Sequence, residues 1–394
     1  MIDKIKAHIE ANKSEILEVS HKVHGMPELG FQEYKTSAYL CDFLERLGYR
    51  VECGIGPFET AFKARIGNPD SGVRVAVLAE YDALPNIGHG CGHNIISAVA
   101  CGVAKGFEYA LKTGQIDGEL ILMGTPAEET GGGKIELLNI GAFEDVDFVM
   151  MVHPGSTNMV MRGGTALVEL DIVFEGKRAH SSSPENGINA LKALIHTFNG
   201  IDMLQSEFPL GININGIIKE GGEASNIIPA RASGEFIIRG LRLMDLKAVK
   251  QKLINVIKAS EVLTGAKAVY EFKLPYAERY PNAIMDERFK TIMEAMGETV
   301  QYPDPSAKLG SSDIGNVSLF RPSIHPYVKI GDDLRAHTRS FAEASVSVQA
   351  DEMVITASKA MAELVYSIFT EPDFRAQINE AFKAQVPDYS NFVF

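Results

Sequence analysis

The chain has 394 residues, 45% hydrophobic and 23% charged, with 38 Lys and Arg against 51 Asp and Glu for a formal net charge of −13. At roughly 150 residues per domain this length allows two or three domains, and the composition is that of a packed soluble protein. The acidic balance argues against nucleic acid or an anionic membrane as the main partner.

Met1 to Glu10 alternates charged and apolar residues and lacks the apolar core of a signal peptide. Ile2, Ile5, Ile9, Ile16, Val19 and Val23 fall near helical spacing, so the chain is expected to open with one amphipathic helix. A second helix is expected from about Thr36 to Gly48. Short apolar runs at Val73 to Ala79, Leu120 to Met123 and Phe148 to Val152 read as buried strands. Long helical segments lie between them, notably Asn94 to Lys112. This alternation predicts an α/β unit, a mixed sheet with helices on both faces. The most apolar stretch, Ile95 to Ala104, is too short to span a membrane. Cys41, Cys53, Cys91 and Cys101 are too few and too irregular for a disulfide framework, so a reducing, cytoplasmic setting is expected.

Near Thr165 the texture changes. Strands are expected at Thr165 to Phe174, Ile212 to Lys219, Arg231 to Ile238 and Ala268 to Phe272. Helices are expected from about Asn186 and over Met244 to Leu263. The order β-α-β-β-α-β is the ferredoxin-like arrangement. It predicts an inserted α+β domain at 165–278, with 1–164 and 279–394 forming the domain that surrounds it in sequence.

Chemistry-bearing residues cluster after the apolar strands. Glu80-Tyr81-Asp82-Ala83-Leu84-Pro85 and Gly90-Cys91-Gly92-His93-Asn94 follow the first. Pro126-Ala127-Glu128-Glu129 follows the second, and His153 the third. The carboxyl ends of strands are where open α/β sheets bind ligands. A thiolate and an imidazole two positions apart suit a transition metal, and two adjacent carboxylates can divide metal binding from proton transfer. Each cluster alone is open to a plainer reading: a buried cysteine with a loop histidine, a solvated acidic turn, a structural histidine, or a surface histidine at His337. Their convergence supplies a thiolate, three imidazoles and a carboxylate, enough for two ions with open positions. Asp82 would hold a ligand histidine by its other nitrogen.

These motifs resemble the clan MH metallopeptidases, which include carboxypeptidase G, the aminoacylases and the auxin-conjugate amidohydrolases. The resemblance spans nearly the whole chain. It includes His24 to Phe31, Asp82 to Pro85, Gly90 to His93, Pro126 to Glu129 and Ala179-His180-Ser181. It continues through Pro184, Gly187 to Ala190, Asn226 to Pro229, Gly310 to Asp313 and His337-Thr338. The forms Glu80-Tyr81-Asp82 and Gly92-His93-Asn94 are more similar to the aminobenzoyl-glutamate hydrolase and aminoacyl-dipeptidase branch. The resemblance implies a zinc-peptidase-like catalytic domain with an inserted lid or dimerisation domain, and a homodimer. It implies metal ligands Cys91, His93, Glu129, His153 and His337 for two divalent ions (zinc, or manganese, cobalt or nickel), with Glu128 as general base. His180, Asn226 and Arg239 are implied to bind the substrate carboxylate or the developing oxyanion. Glu80 stands where other branches carry a metal-binding histidine, so it is either a ligand or a support. The chain departs from the branch at Asn94, where aspartate is common, and at Pro154, which directly follows His153.

The expected activity is metal-dependent hydrolysis of the amide bond of small N-acyl or aminoacyl amino acids bearing a free carboxylate. Catalysis would rest on Glu128, Asp82 and His180. Two rivals stand beside it: a cysteine amidase with Cys91 as nucleophile and His93 as base, and a non-catalytic binding protein on the same fold.

Overall fold

In the computed structural model the described residues are 1–306, 309–389 and 392–394. They fall into two compact units, Met1–Gly163 with Tyr280–Asn391, and Gly164–Arg279 with Phe392–Phe394.

The first unit opens with α1 (Ile2–Ala11), α2 (Lys13–His24) and α3 (Tyr34–Arg46). The single expected opening helix is two, because Asn12 leaves helical geometry (φ −110°, ψ 20°) and its side-chain amide donates to His8 O. The apolar stripe survives the break: Ile5, Ile9, Ile16, Val19 and Val23 all enter one core. A hairpin follows, β1 (Arg50–Ile55) and β2 (Phe58–Gly67), then β3 (Arg74–Ala79), α4 (His93–Lys112), β4 (Glu119–Gly124), α5 (Gly133–Asn139) and β5 (Phe148–Met150). Two short strands, β6 (His153–Gly155) and β7 (Asn158–Met159), precede the second unit.

That second unit runs β8 (Ala166–Glu175), β9 (Ala179–His180), α6 (Ala190–Met203), β10 (Asn213–Glu220), β11 (Ile227–Ile228), β12 (Arg231–Gly240), α7 (Leu243–Thr264) and β13 (Lys267–Phe272). Its four long strands form an antiparallel sheet in the order β10-β12-β8-β13, which is the ferredoxin-like order. Helix α6 starts later than expected, at Ala190, because Asn189 caps it by accepting from Lys192 N–H. Phe392 and Phe394 lie against this unit, with Lys247 Nζ 4.9 Å from the first ring and Lys250 Nζ 4.4 Å from the second.

The chain then completes the first unit with α8 (Ala283–Ala295), β14 (Val300–Gln301), α9 (Ile314–Ser318), β15 (Ser323–Ile324), β16 (Tyr327–Lys329), α10 (Arg339–Ala344), α11 (Val348–Thr370) and α12 (Pro372–Gln385). Its main sheet has the order β1-β2-β4-β3-β5-β15, with β4, β3, β5 and β15 parallel and the hairpin antiparallel at one edge. Alternate residues of β3 serve opposite faces. Val75, Val77 and Ala79 join a core with α1–α4 and α11, while Ala76 and Leu78 join another with Leu137 of α5 and Ile314 of α9. Among the described residues no helix is long and apolar enough to cross a membrane.

Because Ala79 pairs with Gly124 and Val77 with Met150 in parallel register, the segments after β3, β4 and β5 leave the sheet at one edge. That placement assembles the site.

Candidate metal centre

Gly92 and His93 begin α4. Gly92 sits in the left-handed region (φ +76°), and a Cβ there would lie 2.6 Å from Pro154 Cγ, so only glycine turns the chain this sharply between Cys91 and His93. On the neighbouring segment a Cβ on Gly133 would meet Pro126 O at 1.8 Å, so the loop carrying Glu128 and Glu129 closes tightly on itself. Ala127 in that loop is left-handed without being glycine (φ +58°), and its N–H donates to buried Glu33 Oε1 at 2.8 Å. His337 is likewise left-handed (φ +65°), with its N–H donating to Gly90 O at 2.8 Å. Such conformations are costly and persist where surrounding contacts hold them.

His93 is fully buried. Its Nδ1–H donates to Asp82 Oδ1 and to Asp82 O, both at 2.9 Å, which directs Nε2 toward Glu80 Oε2 at 3.3 Å and Glu129 Oε1 at 4.0 Å. Asp82 also accepts the Glu129 N–H through Oδ2 at 2.9 Å, so one carboxylate orients two expected ligands. His153 Nδ1–H donates to Pro154 O at 2.8 Å, and its Nε2 lies 3.4 Å from Cys91 Sγ. The adjacent proline therefore fixes the imidazole. Half-exposed His337 brings Nε2 to 3.3 Å from Glu129 Oε2.

Donor atoms of Cys91, His93 and His153 lie within 4.8 Å of one another, as do those of Cys91, Glu129 and His337, and those of His93, Glu128 and Glu129. Cys91, His93 and Glu129 each belong to two groups. The donor chemistry fits metal ions: His93 Nε2 and Glu129 Oε1 are buried without a hydrogen-bond partner, and thiolate, imidazole and carboxylate are the donors of zinc-like sites.

The electrostatics agree with that fit. Burial alone would discharge His93, but Asp82 and Glu80 outweigh it and hold its pKa well above the ordinary histidine value. A cation is thus strongly favoured at Nε2. Burial tends to raise the Asp82 carboxyl, yet His93 and the Glu129 N–H bring it below the usual range. Burial pushes the Glu128 carboxyl well above that range, and Glu80, Asp313 and Glu129 add to the effect. Burial also pushes the Cys91 thiol up; His93 opposes this, while Glu129 and Glu128 reinforce it. A cysteine nucleophile needs an electropositive setting. Here burial, reinforced by Glu129 and Glu128, outweighs His93 and favours the thiol over the thiolate, which disfavours the amidase rival.

Several supporting residues were not assigned roles from the sequence. Lys134 is buried between Glu80 and Asp313. The His325 ring lies 5.2 Å from that of His153, and Tyr327 5.0 Å. Asn94 is explained by its donors: its amide donates to Ser20 Oγ at 2.9 Å and to Ser345 O at 3.0 Å. An aspartate could donate neither bond.

Of the residues expected to bind substrate, His180 and Asn226 meet within the second unit. Ile227 pairs with His180 across β11 and β9, and the Ser181 N–H donates to Asn226 O at 3.0 Å. Arg239 belongs to β12. It sits near the far end of β12 from Arg231, about 26 Å along the strand at roughly 3.3 Å per residue.

An α/β sheet with a thiolate, imidazoles and carboxylates gathered at its strand ends defines a metallohydrolase. Residues 163–262 match the family description "Peptidase dimerisation domain". The chain is 32% identical to the Xaa-Arg dipeptidase of Mus musculus over 94% of this chain and 89% of that protein. It is 25% identical to a component of the p-aminobenzoyl-glutamate hydrolase of Escherichia coli over 73% of this chain and 64% of that protein. Its fold matches a dinuclear metal-binding peptidase of the M20 family from Bacillus subtilis, with TM-score 0.68, 20% identity, and coverage of 91% of this chain and 99% of that one. The chain belongs to the M20 family of peptidases and amidohydrolases. It is an enzyme that hydrolyses small amides.

Proposed function

We propose that this enzyme is a dinuclear metallohydrolase that cleaves dipeptide-like or N-acyl amino acids carrying a free carboxylate. The observation that carries this reading is the sharing of Cys91, His93 and Glu129 among overlapping donor groups. Cys91, His93, Glu129, His153 and His337 would hold two divalent ions. Such ions polarise a carbonyl and lower the pKa of water toward about 7. Glu128, mostly buried beside these donors, takes a proton from the attacking water and passes it to the leaving nitrogen. Asp82 keeps His93 and Glu129 aimed. His180 and Asn226 serve the oxyanion and one end of the substrate, and Arg239 holds the carboxylate through its planar fork. The match of residues 163–262 to a peptidase dimerisation domain supports a homodimer through the inserted domain.

The 32% relative is named for Xaa-Arg dipeptides and the 25% relative for aminobenzoyl-glutamate, which favours dipeptides. The test is a hydrolysis panel of Xaa-Arg and Xaa-Lys dipeptides, aminobenzoyl-glutamate and N-acetyl amino acids, each as acid and amide, with zinc, manganese, cobalt or nickel supplied. The expected result is metal-dependent cleavage of dipeptide acids with poor turnover of their amides. Full activity in metal-free protein, or equal turnover of acid and amide, overturns the assignment.

A further inference from the structure

Behind the ligand edge, an ammonium is buried among carboxylates. Lys134 lies in the first turn of α5 with its side chain 0% exposed, its Nζ 2.5 Å from Glu80 Oε1 and 2.8 Å from Asp313 Oδ1. Its backbone N–H donates to Asp313 Oδ2 at 2.9 Å, so one residue grips both oxygens of Asp313. The other oxygen of Glu80 is 3.3 Å from His93 Nε2. Oxygens of Glu80, Glu128 and Asp313 lie within 4.8 Å of one another. Without Lys134, Glu80 and Asp313 would lose the ammonium that lies between them, and buried carboxylates brought together without that charge favour another cation.

We propose that Lys134 is a positioning residue that serves as the internal cation of this recess: it holds Glu80 and Asp313 out of the metal set and keeps a further divalent ion away from Glu128. The inference rests on the dinuclear reading above. A tethered ammonium carries one charge and cannot leave the α5 turn, whereas a mobile dication in the same recess would coordinate Glu128 and occupy the oxygens that move protons. Glu80, placed where a ligand is possible, thus becomes Lys134's partner.

The test is elemental analysis of wild type, Lys134→Met, Glu80→Gln and the double variant after equilibration with manganese or zinc, together with thermal midpoints with and without metal. Lys134→Met is expected to take up one more equivalent per chain than wild type and to melt higher when metal is added. Glu80→Gln is expected to keep the wild-type count, and the double variant to return toward it. A merely structural lysine would lower the midpoint without changing the count. If Lys134→Met fails to fold, the Glu80→Gln count decides: one equivalent lost makes Glu80 a ligand and overturns the proposal, and an unchanged count supports it. Wild type holding two ions with an unchanged Lys134→Met count overturns this inference alone. Wild type without metal overturns both readings.

Discussion

His93 Nε2 is turned toward Glu80 and Glu129 because Nδ1–H is already committed to Asp82, and Asp82 in turn positions Glu129. The adjacent carboxylates Glu128 and Glu129 are thereby made different. Glu129 is tied into the donor groups through His93 and His337, while burial and the neighbouring carboxylates raise the proton affinity of Glu128, which suits a group that takes up a proton. Glu128→Gln is expected to keep metal and lose activity by roughly 10²–10⁴-fold, the usual share of general acid–base catalysis, whereas Glu129→Gln is expected to lose metal. Elemental analysis beside steady-state kinetics checks both, and swapped phenotypes would refute the division of roles. Glu33 supports the same loop from below, and burial, the largest influence on it, lifts its pKa from 4.5 to about 7. Between those values the folded chain binds more protons than the unfolded one, so this residue's contribution to stability falls as pH rises through that window and is level above it. Glu33→Gln keeps an acceptor for the Ala127 N–H and carries no charge. Relative to wild type it is expected to gain roughly 2–3 kcal/mol between pH 4 and pH 8, read by urea denaturation at both pH values. A constant difference across the window would contradict it.

At the level of elements, the turn between Cys91 and His93 depends on Gly92. Alanine there would place a Cβ in the left-handed region, 2.6 Å from Pro154 and 3.1 Å from Phe341. Gly92→Ala is expected to cost at least about 1–2 kcal/mol of stability and to weaken metal binding, since the two donors on either side would be displaced. Metal titration and a denaturation midpoint test this, and an unchanged pair of values would show that the turn yields easily. The strands β3, β4 and β5 were legible because each is buried on both faces and so reads as an apolar run. The β1–β2 hairpin was not. Its register shifts between Cys53 and Ile55, and β2 carries Lys63 and Arg65, whose charges are met only in three dimensions, Lys63 by Asp145 and Arg65 by Glu119 and Asp145. The site divides in the same way. Cys91, His93, Glu128, Glu129 and His153 announce themselves by following strands. Lys134 reads as an ordinary helix-surface lysine, because its partners Glu80 and Asp313 are distant in sequence and nothing local marks it as buried. The break at Asn12 was hidden because the apolar stripe continues across it.

At the level of the whole molecule, the proposed dimer makes a sharp test of His180. If it acts across the interface, His180→Ala and Glu128→Gln protomers, each nearly inactive alone, form a hybrid with one intact site. Mixing them should then restore about half of a wild-type dimer's activity per hybrid. Proven exchange of protomers without recovery would place His180 within its own protomer or outside catalysis. The interrupted chain has a further consequence for synthesis. Cys91, His93, Glu129 and His153 all precede Gly164, whereas His337 and the buried Asp313 follow Arg279. During translation, which proceeds from the N-terminus and folds units in turn, four expected ligands leave the ribosome before the inserted unit and the fifth after it. Until α11 arrives to pack on α4 and β15 to pair with β5, the nascent first unit carries an incomplete metal-binding edge and an uncovered core face. The inserted unit's antiparallel sheet, whose strands are all present by Phe272, can close first.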